Sequence, residues 1–295
     1  MHLPVLLKET IDLLNPQPYS FIIDGTVDGG GHLREIIQRM DGRGKILAVD
    51  WDKNLLQKTR QKIEDENLLL GKNIQILWLN DNFKNLPVVI RNLKIGLTDG
   101  LLLDLGMSNE QLNESGRGFS FLKDEPLLMT YSDDEKPVYQ WLRELSYDKL
   151  TKIIKEFGEE KYAAKIAKAI KAAKKIKTSK QLADVVSNVI KKRGRIHPAT
   201  RTFQALRIFA NHELENLESI LDNIDLIVKP NGRVVILTFH SLEDRIVKNK
   251  FKELIKQNKA ILLTKKIITP SFKEIKNNPN SRSAKLRAIQ LYDYN

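Results

Sequence analysis

Residues 21–32 read FIIDGTVDGGGH: a short apolar run that ends in a carboxylate, a glycine-rich turn, and the first residue of a helical pattern. The apolar run predicts a β-strand at residues 21–24, and the pattern after it predicts a helix from His32 to Met40. Glycines at such a junction let the backbone turn tightly and approach a ligand, with the helix N-terminus behind it. A purely structural turn is the alternative.

Strands and helices alternate outward from this turn. Further strands are predicted at 45–50, 74–80 and 98–104, with helices at about 54–66 and 83–92. This alternation is typical of βαβ units and a parallel sheet. Residues 113–201 then show no clear strand and predict helices at 147–173 and 179–192. After them we predict a helix at 203–228, a turn at 229–232, a strand at 233–238, a helix at 242–257, and strands at 260–268 and 284–290. We therefore predict an α/β domain with a mainly parallel sheet at residues 1–112 and 202–295, interrupted by an all-helical insertion at 113–201.

The glycine turn is not a dinucleotide fingerprint. Gly29 and Gly31 fit the pattern GxGxxG, but position 34 is Arg. Asp28 within the loop would repel a pyrophosphate, whereas an amine or a sulfonium would be favoured beside it.

Carboxylates end three of the predicted strands, at Asp24, Asp50 and Asp104. Asp50 comes 19 residues after Gly31, a spacing that suits a hydrogen bond to a ribose diol. Each Asp alone is more commonly a strand-ending or helix-capping residue. Together, at the carboxyl edge of a parallel sheet, they favour a cationic nucleoside ligand such as S-adenosylmethionine.

Composition limits the remaining chemistry. The 295 residues include no Cys, which excludes disulfides, Cys-ligated zinc, iron–sulfur clusters and thiol nucleophiles, and suits a reducing compartment. The five His show no metal-ligand spacing, so we expect no metal. No apolar run approaches the roughly 18 residues of a membrane span, and the N-terminus lacks the pattern of a signal peptide. We therefore expect a cytoplasmic protein with no membrane partner.

The net charge of +12 is concentrated in two segments. Residues 149–201 hold 16 Lys/Arg and 4 Asp/Glu, and residues 245–290 hold 13 and 2. These segments carry +12 and +11, so the rest of the chain is acidic. Clustered cations neutralise phosphates and release counterions, which favours a nucleic-acid partner over a merely solvated, Lys-rich surface.

Several longer stretches carry a resemblance to a known family. They are PVLL at 4–7, DGLLLDLG at 99–106, RGFSF at 117–121, HPATRTFQALRI at 197–208, FHSLEDRIVK at 239–248 and NSRSAKLR at 280–287. Over nearly all of its length the chain resembles the MraW (RsmH) family of bacterial S-adenosylmethionine-dependent methyltransferases, which modify N4 of a cytidine in 16S ribosomal RNA. The resemblance implies a Rossmann-like class I methyltransferase fold, split by a helical insertion that recognises the substrate. It also implies 16S rRNA, or the small ribosomal subunit, as partner.

The resemblance further implies which residues form the site. The implied cofactor contacts are Gly30, Gly31, His32, Asp50, Phe83, Asp104 and Gln111. Phe83 would pack against adenine, although an ordinary core role fits it equally well. Because a cytosine amine is a poor nucleophile, catalysis needs an acceptor for its N–H as charge develops. We predict Asp104 and His240 for this task, with cofactor binding alone and a structural role as the respective alternatives.

The chain departs from the family pattern in several places, of which Asn109 and Asn231 are mild changes at positions usually Ser and Gly. Asp28 stands where the family usually has glycine or another residue, and LLMTY at 127–131 replaces the usual LDMRM. Leu128 and Thr130 thus replace an acid and an arginine. These changes leave open a ribosome-binding protein whose catalysis has decayed. A methyltransferase for a small molecule is another alternative, which the two basic segments disfavour. Five arginines are expected to contact RNA phosphate or brace the site: Arg201, Arg207, Arg245, Arg282 and Arg287.

Overall fold

The computed structural model describes residues 4–173, 175–190 and 197–293. The chain forms two compact units: the sheet unit, Met1–Ser108 with Leu214–Asn295, and the helical unit, Asn109–Glu213. The sequence places the boundaries at 112/113 and 201/202. The second boundary lies later because the helix Thr200–Ala210 packs against the helix Tyr147–Gly158 within the helical unit. A Cβ on Gly158 would lie 2.6 Å from the carbonyl oxygen of Arg201, so the two helices approach closely there.

The sheet unit contains a seven-stranded sheet with the strand order β3-β2-β1-β4-β5-β7-β6. The strands are β1 Phe21–Asp24, β2 Arg43–Asp50, β3 Asn73–Asn80, β4 Thr98–Asp104, β5 Val228–Thr238, β6 Ala260–Leu262 and β7 Lys285–Leu291. Strands β1 to β5 pair in parallel, and β7 runs antiparallel to both β5 and β6. The predicted α/β class with a mainly parallel sheet is confirmed.

Thirteen α-helices lie among the described residues. The sheet unit contains α1 Leu7–Leu14, α2 Gly31–Arg39, α3 Lys53–Asp65, α4 Leu86–Leu93, α12 Ser241–Lys256 and α13 Phe272–Asn277. The helical unit contains α5 Asn109–Asn113, α6 Val138–Glu144, α7 Tyr147–Gly158, α8 Ala163–Ala172, α9 Ser179–Val189 and α10 Thr200–Ala210, and α11 Glu213–Asp222 starts at its boundary. Among the described residues, no helix combines the length and apolarity needed to cross a membrane.

The alternation of side chains in the strands builds a core on each face of the sheet. In β1, Ile22 belongs to the cluster that contains Leu33 of α2, whereas Ile23 belongs to the cluster that contains Ile90 of α4 and Leu217 of α11. Successive strand residues point to opposite faces, so a strand buried on both sides must be apolar throughout. The two layers of helices leave the carboxyl ends of the strands as the edge on which a site forms.

Several predicted elements are shorter than expected. The helix predicted at 147–173 is two helices, because Glu159 after α7 has φ of +48°. The helix predicted at 203–228 ends at Ala210, restarts as α11 past His212 (φ +52°), and gives way to β5 at Val228. The turn at 229–232 lies inside β5 as a bulge, since Thr98 pairs with Val228 and Gly100 with Arg233.

Two further predicted elements are affected at their C-terminal ends. The strand predicted at 260–268 is limited to β6, with one isolated bridge from Ile268 to Leu286. The predicted end of the helix at 179–192 includes Lys191 and Lys192, which lie outside the described residues.

Candidate functional site

Three carboxylates lie at the carboxyl ends of adjacent strands. Asp50 ends β2, Asp24 ends β1 and Asp104 ends β4, and these strands are neighbours in the sheet. All three residues are buried. Such a concentration of carboxylates is costly without cations or hydrogen-bond donors, so this edge is the candidate site.

Asp50 is held rigidly by the backbone around it. Its Oδ2 accepts a hydrogen bond from the N–H of Asp28 and its Oδ1 from that of Asp52, both at 2.8 Å. Burial raises the pKa of Asp50 to about 7, against the opposing effect of these two N–H groups. Each carboxylate oxygen keeps acceptor capacity, which suits the two hydroxyls of a ribose.

Asp24 is the most buried of the three carboxylates, and the sequence indicates it only as a strand end. Its Oδ1 accepts a 3.3 Å hydrogen bond from the N–H of Thr26. Its Oδ2 is buried and has no hydrogen-bond partner among the described residues. Burial raises the pKa of Asp24 well above its usual range. A buried, unpartnered oxygen of this kind points to a donor or a proton that completes the site.

Asp104 and His32 form a pair of acceptors. The His32 Nε2 lies 3.2 Å from the carbonyl oxygen of Val5, and burial lowers the pKa of His32 to about 4. Because a carbonyl only accepts, the neutral ring carries its proton on Nε2, and Nδ1 is an acceptor. That Nδ1 lies 3.6 Å from Oδ2 of Asp104. Two acceptors so close favour an N–H group that donates to both.

The backbone of Asp104 is also anchored to the glycine turn. The N–H of Asp104 donates to Oγ1 of Thr26 at 2.6 Å, and the N–H of Gly106 donates to Oδ1 of Asp104 at 3.2 Å. These bonds connect the ends of β1 and β4 and fix the position of the carboxylate.

Gly30 and Gly31 are required by packing inside the protein. Gly30 has φ of +77°, and a Cβ there would lie 2.7 Å from Cγ2 of Thr59. A Cβ on Gly31 would lie 2.8 Å from Cβ of Pro4. The loop therefore needs glycine for its own structure, and direct cofactor contact by these two residues stays a prediction.

The residues after β3 supply an aromatic ring and an amide. Phe83 is half-buried, begins a 3₁₀ turn and packs against the core on one face of the sheet. Beside it, Asn82 is 4% exposed; its Oδ1 accepts a hydrogen bond from the N–H of Lys84, and its buried Nδ2 has no partner among the described residues. Sequence reasoning missed Asn82, although its position directly before an implied adenine-packing residue is a usable signal.

His240 lies directly before α12 and caps the start of that helix. Its Nδ1 accepts from the N–H of Glu243 at 3.3 Å, while Glu243 Oε2 accepts from the N–H of His240, which forms a reciprocal cap. The His240 Nε2 lies 2.9 Å from Oε1 of Glu243 without hydrogen-bond geometry. Asp104 pairs with Leu237 in the sheet, so His240 and Asp104 follow neighbouring strands at the same edge. A catalytic role for His240 stays a prediction.

Gln111, the last implied cofactor residue, lies in α5 of the helical unit and is buried. Its carbonyl oxygen accepts from Oγ of Ser115. Its participation in the cofactor site stays a prediction.

The arginines divide by their contacts. Arg207 makes a two-pronged ion pair with Glu213 inside the helical unit, and Arg287 pairs with Asp244 inside the sheet unit. Arg201 donates to the carbonyl oxygen of Glu159. Arg282, in contrast, is exposed and makes no ion pair within the described ranges. Arg207 and Arg287 therefore brace the protein, and phosphate contact by Arg282 stays a prediction.

The segment that departs from the family pattern is well anchored within the helical unit. Thr130 is 2% exposed, and its carbonyl oxygen accepts from Nη1 of Arg117, whose Nη2 pairs with Asp133 at 2.7 Å. The N–H of Val138 donates to the carbonyl oxygen of half-buried Leu128. The segment thus keeps its position without the acid and the arginine.

Comparisons with known proteins find close relatives. The profile of the MraW methylase family matches residues 1–292. A protein from Coprothermobacter proteolyticus named ribosomal RNA small subunit methyltransferase H is 40% identical over 293 residues, which cover 98% of this chain and 95% of that protein. A protein of the same name from Thermotoga neapolitana is 39% identical over 299 residues, covering 99% and 96%. Among solved structures, Aeropyrum pernix fibrillarin with bound S-adenosylmethionine aligns with a TM-score of 0.42 at 10% identity, over 96% of this chain and 73% of that one.

Proposed function

Because the chain belongs to the MraW methylase family and is an S-adenosylmethionine-dependent methyltransferase, we propose that it methylates N4 of a cytidine in 16S ribosomal RNA of the small subunit. The structural observation that carries the cofactor part of this proposal is the set of three carboxylates at adjacent strand ends. The target nucleotide follows from the family membership. Anionic groups in a buried crevice select a cation, and the fixed Asp50 carboxylate suits a ribose.

The residues at this edge fit the cofactor. Asp50 would accept hydrogen bonds from the ribose diol, and Phe83 would pack against adenine. The unpartnered Nδ2 of Asn82 would donate to a ring nitrogen. When bound, S-adenosylmethionine supplies an electrophilic methyl group on a positively charged sulfur.

Asp104 is our candidate for orienting the target amine. Its Oδ2 and the Nδ1 of His32 offer two acceptors to one N–H group. Methylation itself makes the amine acidic, so the acceptor need not be a strong base; it must hold the lone pair in line with the methyl group. The cap at the start of α12 already uses Nδ1 of His240, which makes Asp104 the stronger of the two candidates.

The helical unit and the second basic segment would bind the RNA. Exposed lysines cover α8 and its flanks, among them Lys161, Lys165, Lys168 and Lys175. In the sheet unit, Arg282, Lys265 and Lys266 are exposed within the second segment. Cations on solvated surfaces bind phosphates without reading bases.

The test is methyl transfer to small ribosomal subunits isolated from cells that lack this enzyme. After incubation with labelled cofactor, nuclease digestion and mass analysis should give one methylated cytidine, and chromatography against standards should identify it as the N4 isomer. Large subunits are the control. A methyl group on another base would contradict the proposed site, and binding of subunits without transfer would favour the decayed enzyme.

Two variants separate the roles at the site. Asp104→Asn should slow single-turnover methylation more than it weakens cofactor binding; an effect on binding alone would limit Asp104 to the cofactor. His240→Asn keeps a good helix cap, so near-normal turnover in this variant would assign His240 a structural role.

A further inference from the structure

Asp28 occupies an unusual position in the glycine turn. Its φ is +48°, in the left-handed region where Gly, Asn and Asp are the residues best tolerated. Its N–H donates to Oδ2 of Asp50 at 2.8 Å, and its carbonyl oxygen accepts from Oγ1 of Thr59 at 2.5 Å. Both backbone groups are therefore anchored, and the side chain is the part of the residue left without a structural task.

The Asp28 carboxylate has no compensating partner in the part of the chain that the structure describes. Among the described residues, none donates a hydrogen bond to it. Burial raises its pKa well above the usual range, and the negative charges of neighbouring carboxylates add to that effect; these are Asp50, Asp104, Asp24 and Asp52. A cation within this group of carboxylates would relieve the repulsion and favour the ionised form of Asp28.

We propose that Asp28 makes the crevice selective for the positively charged cofactor over its neutral product, S-adenosylhomocysteine. The inference rests on the proposed cofactor site. It assigns to Asp28 the distinction between cofactor and product, whereas the other site residues bind groups that both ligands share. Cofactor and product share their adenosine, ammonium and carboxylate groups and differ by the sulfonium methyl and its charge. A half-buried carboxylate beside Asp50 distinguishes them by that charge and requires no direct contact with the sulfur.

The discrimination would act on turnover. Loss of the methyl group removes the positive charge that balances Asp28, so the product binds less tightly and leaves more readily.

The test compares dissociation constants measured by calorimetry at pH 8 for three ligands: S-adenosylmethionine, S-adenosylhomocysteine, and sinefungin, which carries an amine in place of the sulfonium. The variants are Asp28→Asn and Asp28→Gly, both of which tolerate the left-handed backbone. The matched control is Asp41→Asn, because Asp41 also has φ of +48° but is exposed in the loop before β2.

In the wild type and in the Asp41 variant, both charged ligands should bind more tightly than the product. Both Asp28 variants should reduce that preference by fivefold or more, through weaker binding of the charged ligands, with product affinity changed by less than about twofold. A preference that changes by less than fivefold overturns the inference while the proposed site stands. Tighter binding of all three ligands in the Asp28 variants also overturns it, because Asp28 would then be an obstruction. A wild type that binds none of the ligands contradicts the proposed cofactor site and the inference together.

Discussion

A single carboxylate, Asp50, has two roles at this site. It anchors the glycine turn through the N–H of Asp28 and the start of α3 through the N–H of Asp52, and it offers its remaining acceptor capacity to a ligand. Replacing it with Ala should weaken binding of S-adenosylmethionine tenfold or more, because loss of charge-assisted hydrogen bonds costs about 1.5–3 kcal/mol. Calorimetric titration measures this, with the exposed Asp65→Ala as control. Unchanged affinity in the Asp50 variant would remove Asp50 from the cofactor site.

The buried acids also make the stability of the protein depend on pH. The pKa of Asp50, raised to about 7, means that the folded protein keeps a proton which the unfolded chain releases near pH 4. Its contribution to stability is therefore present at low pH and is lost as the pH rises through about 7. Asp24 and Asp28 act in the same direction. The pKa of His32 is lowered to about 4. Its contribution to the stability of the protein therefore increases as the pH rises from about 4 to the unfolded value of 6.5, and it is constant above that pH.

Between pH 6.5 and 8 the carboxylates therefore determine how the free energy of unfolding changes with pH. We expect the free energy of unfolding of the ligand-free protein, measured by urea titration, to fall over this range. Asp50→Asn should make the decline shallower. A free energy that rises with pH in the wild type would contradict the assignment of buried, protonated acids.

At the scale of elements, strand ends are predictable and helix ends less so. The strands Phe21–Asp24 and Thr98–Asp104 have the predicted bounds, and in both an apolar run followed by Asp marks the end of the strand in the sequence. The breaks after α7 and α10 depend on left-handed residues that are neither Gly nor Pro, Glu159 and His212, so composition gave no sign of them. Pro230 and Gly232 predict a turn at residues 229–232, whereas the position of these residues as a bulge inside β5 is set by pairing with β4.

The site shows a similar division. A carboxylate at the right distance after a glycine turn is visible in sequence, as Asp50 is. The unpartnered atoms of Asp24 and Asn82 are not visible in the sequence, because only the folded structure shows that no hydrogen-bonding group lies beside them. The role of His240 as a helix cap likewise depends on a contact with Glu243 that only the folded backbone creates.

The segment around Leu128 and Thr130 carries an element-scale prediction. Thr130 is almost fully buried, so Thr130→Arg alone should destabilise the protein by about 2 kcal/mol or more, because an unpaired cation loses its hydration there. Leu128→Asp in the same chain supplies a counter-charge two residues away, across the left-handed Met129 (φ +55°), so the double variant should recover part of the loss. Urea unfolding of the two single variants and the double variant measures this coupling.

The same double variant tests whether the replaced pair matters for catalysis. We expect single-turnover methylation to change by less than tenfold, because the segment is already held by hydrogen bonds to the carbonyl oxygens of Leu128 and Thr130. A gain of tenfold or more, equivalent to about 1.4 kcal/mol of transition-state stabilisation, would mean that this chain is a weakened enzyme.

For the whole molecule, the uneven distribution of charge carries the last prediction. Two segments with +12 and +11 lie on an otherwise acidic chain, and their lysines are largely exposed. If they bind phosphate, the logarithm of the affinity for small subunits should fall linearly with the logarithm of salt concentration, by about 0.7–0.9 per phosphate contact. Lys165→Gln/Lys168→Gln in α8 and Lys265→Gln/Lys266→Gln after β6 should each reduce that slope by about one to two. The control is Lys53→Gln/Lys58→Gln, which removes two exposed charges from α3 in the acidic part of the chain. If the dependence of affinity on salt is the same in all of these variants and the wild type, the basic segments are solvated surface and do not bind phosphate.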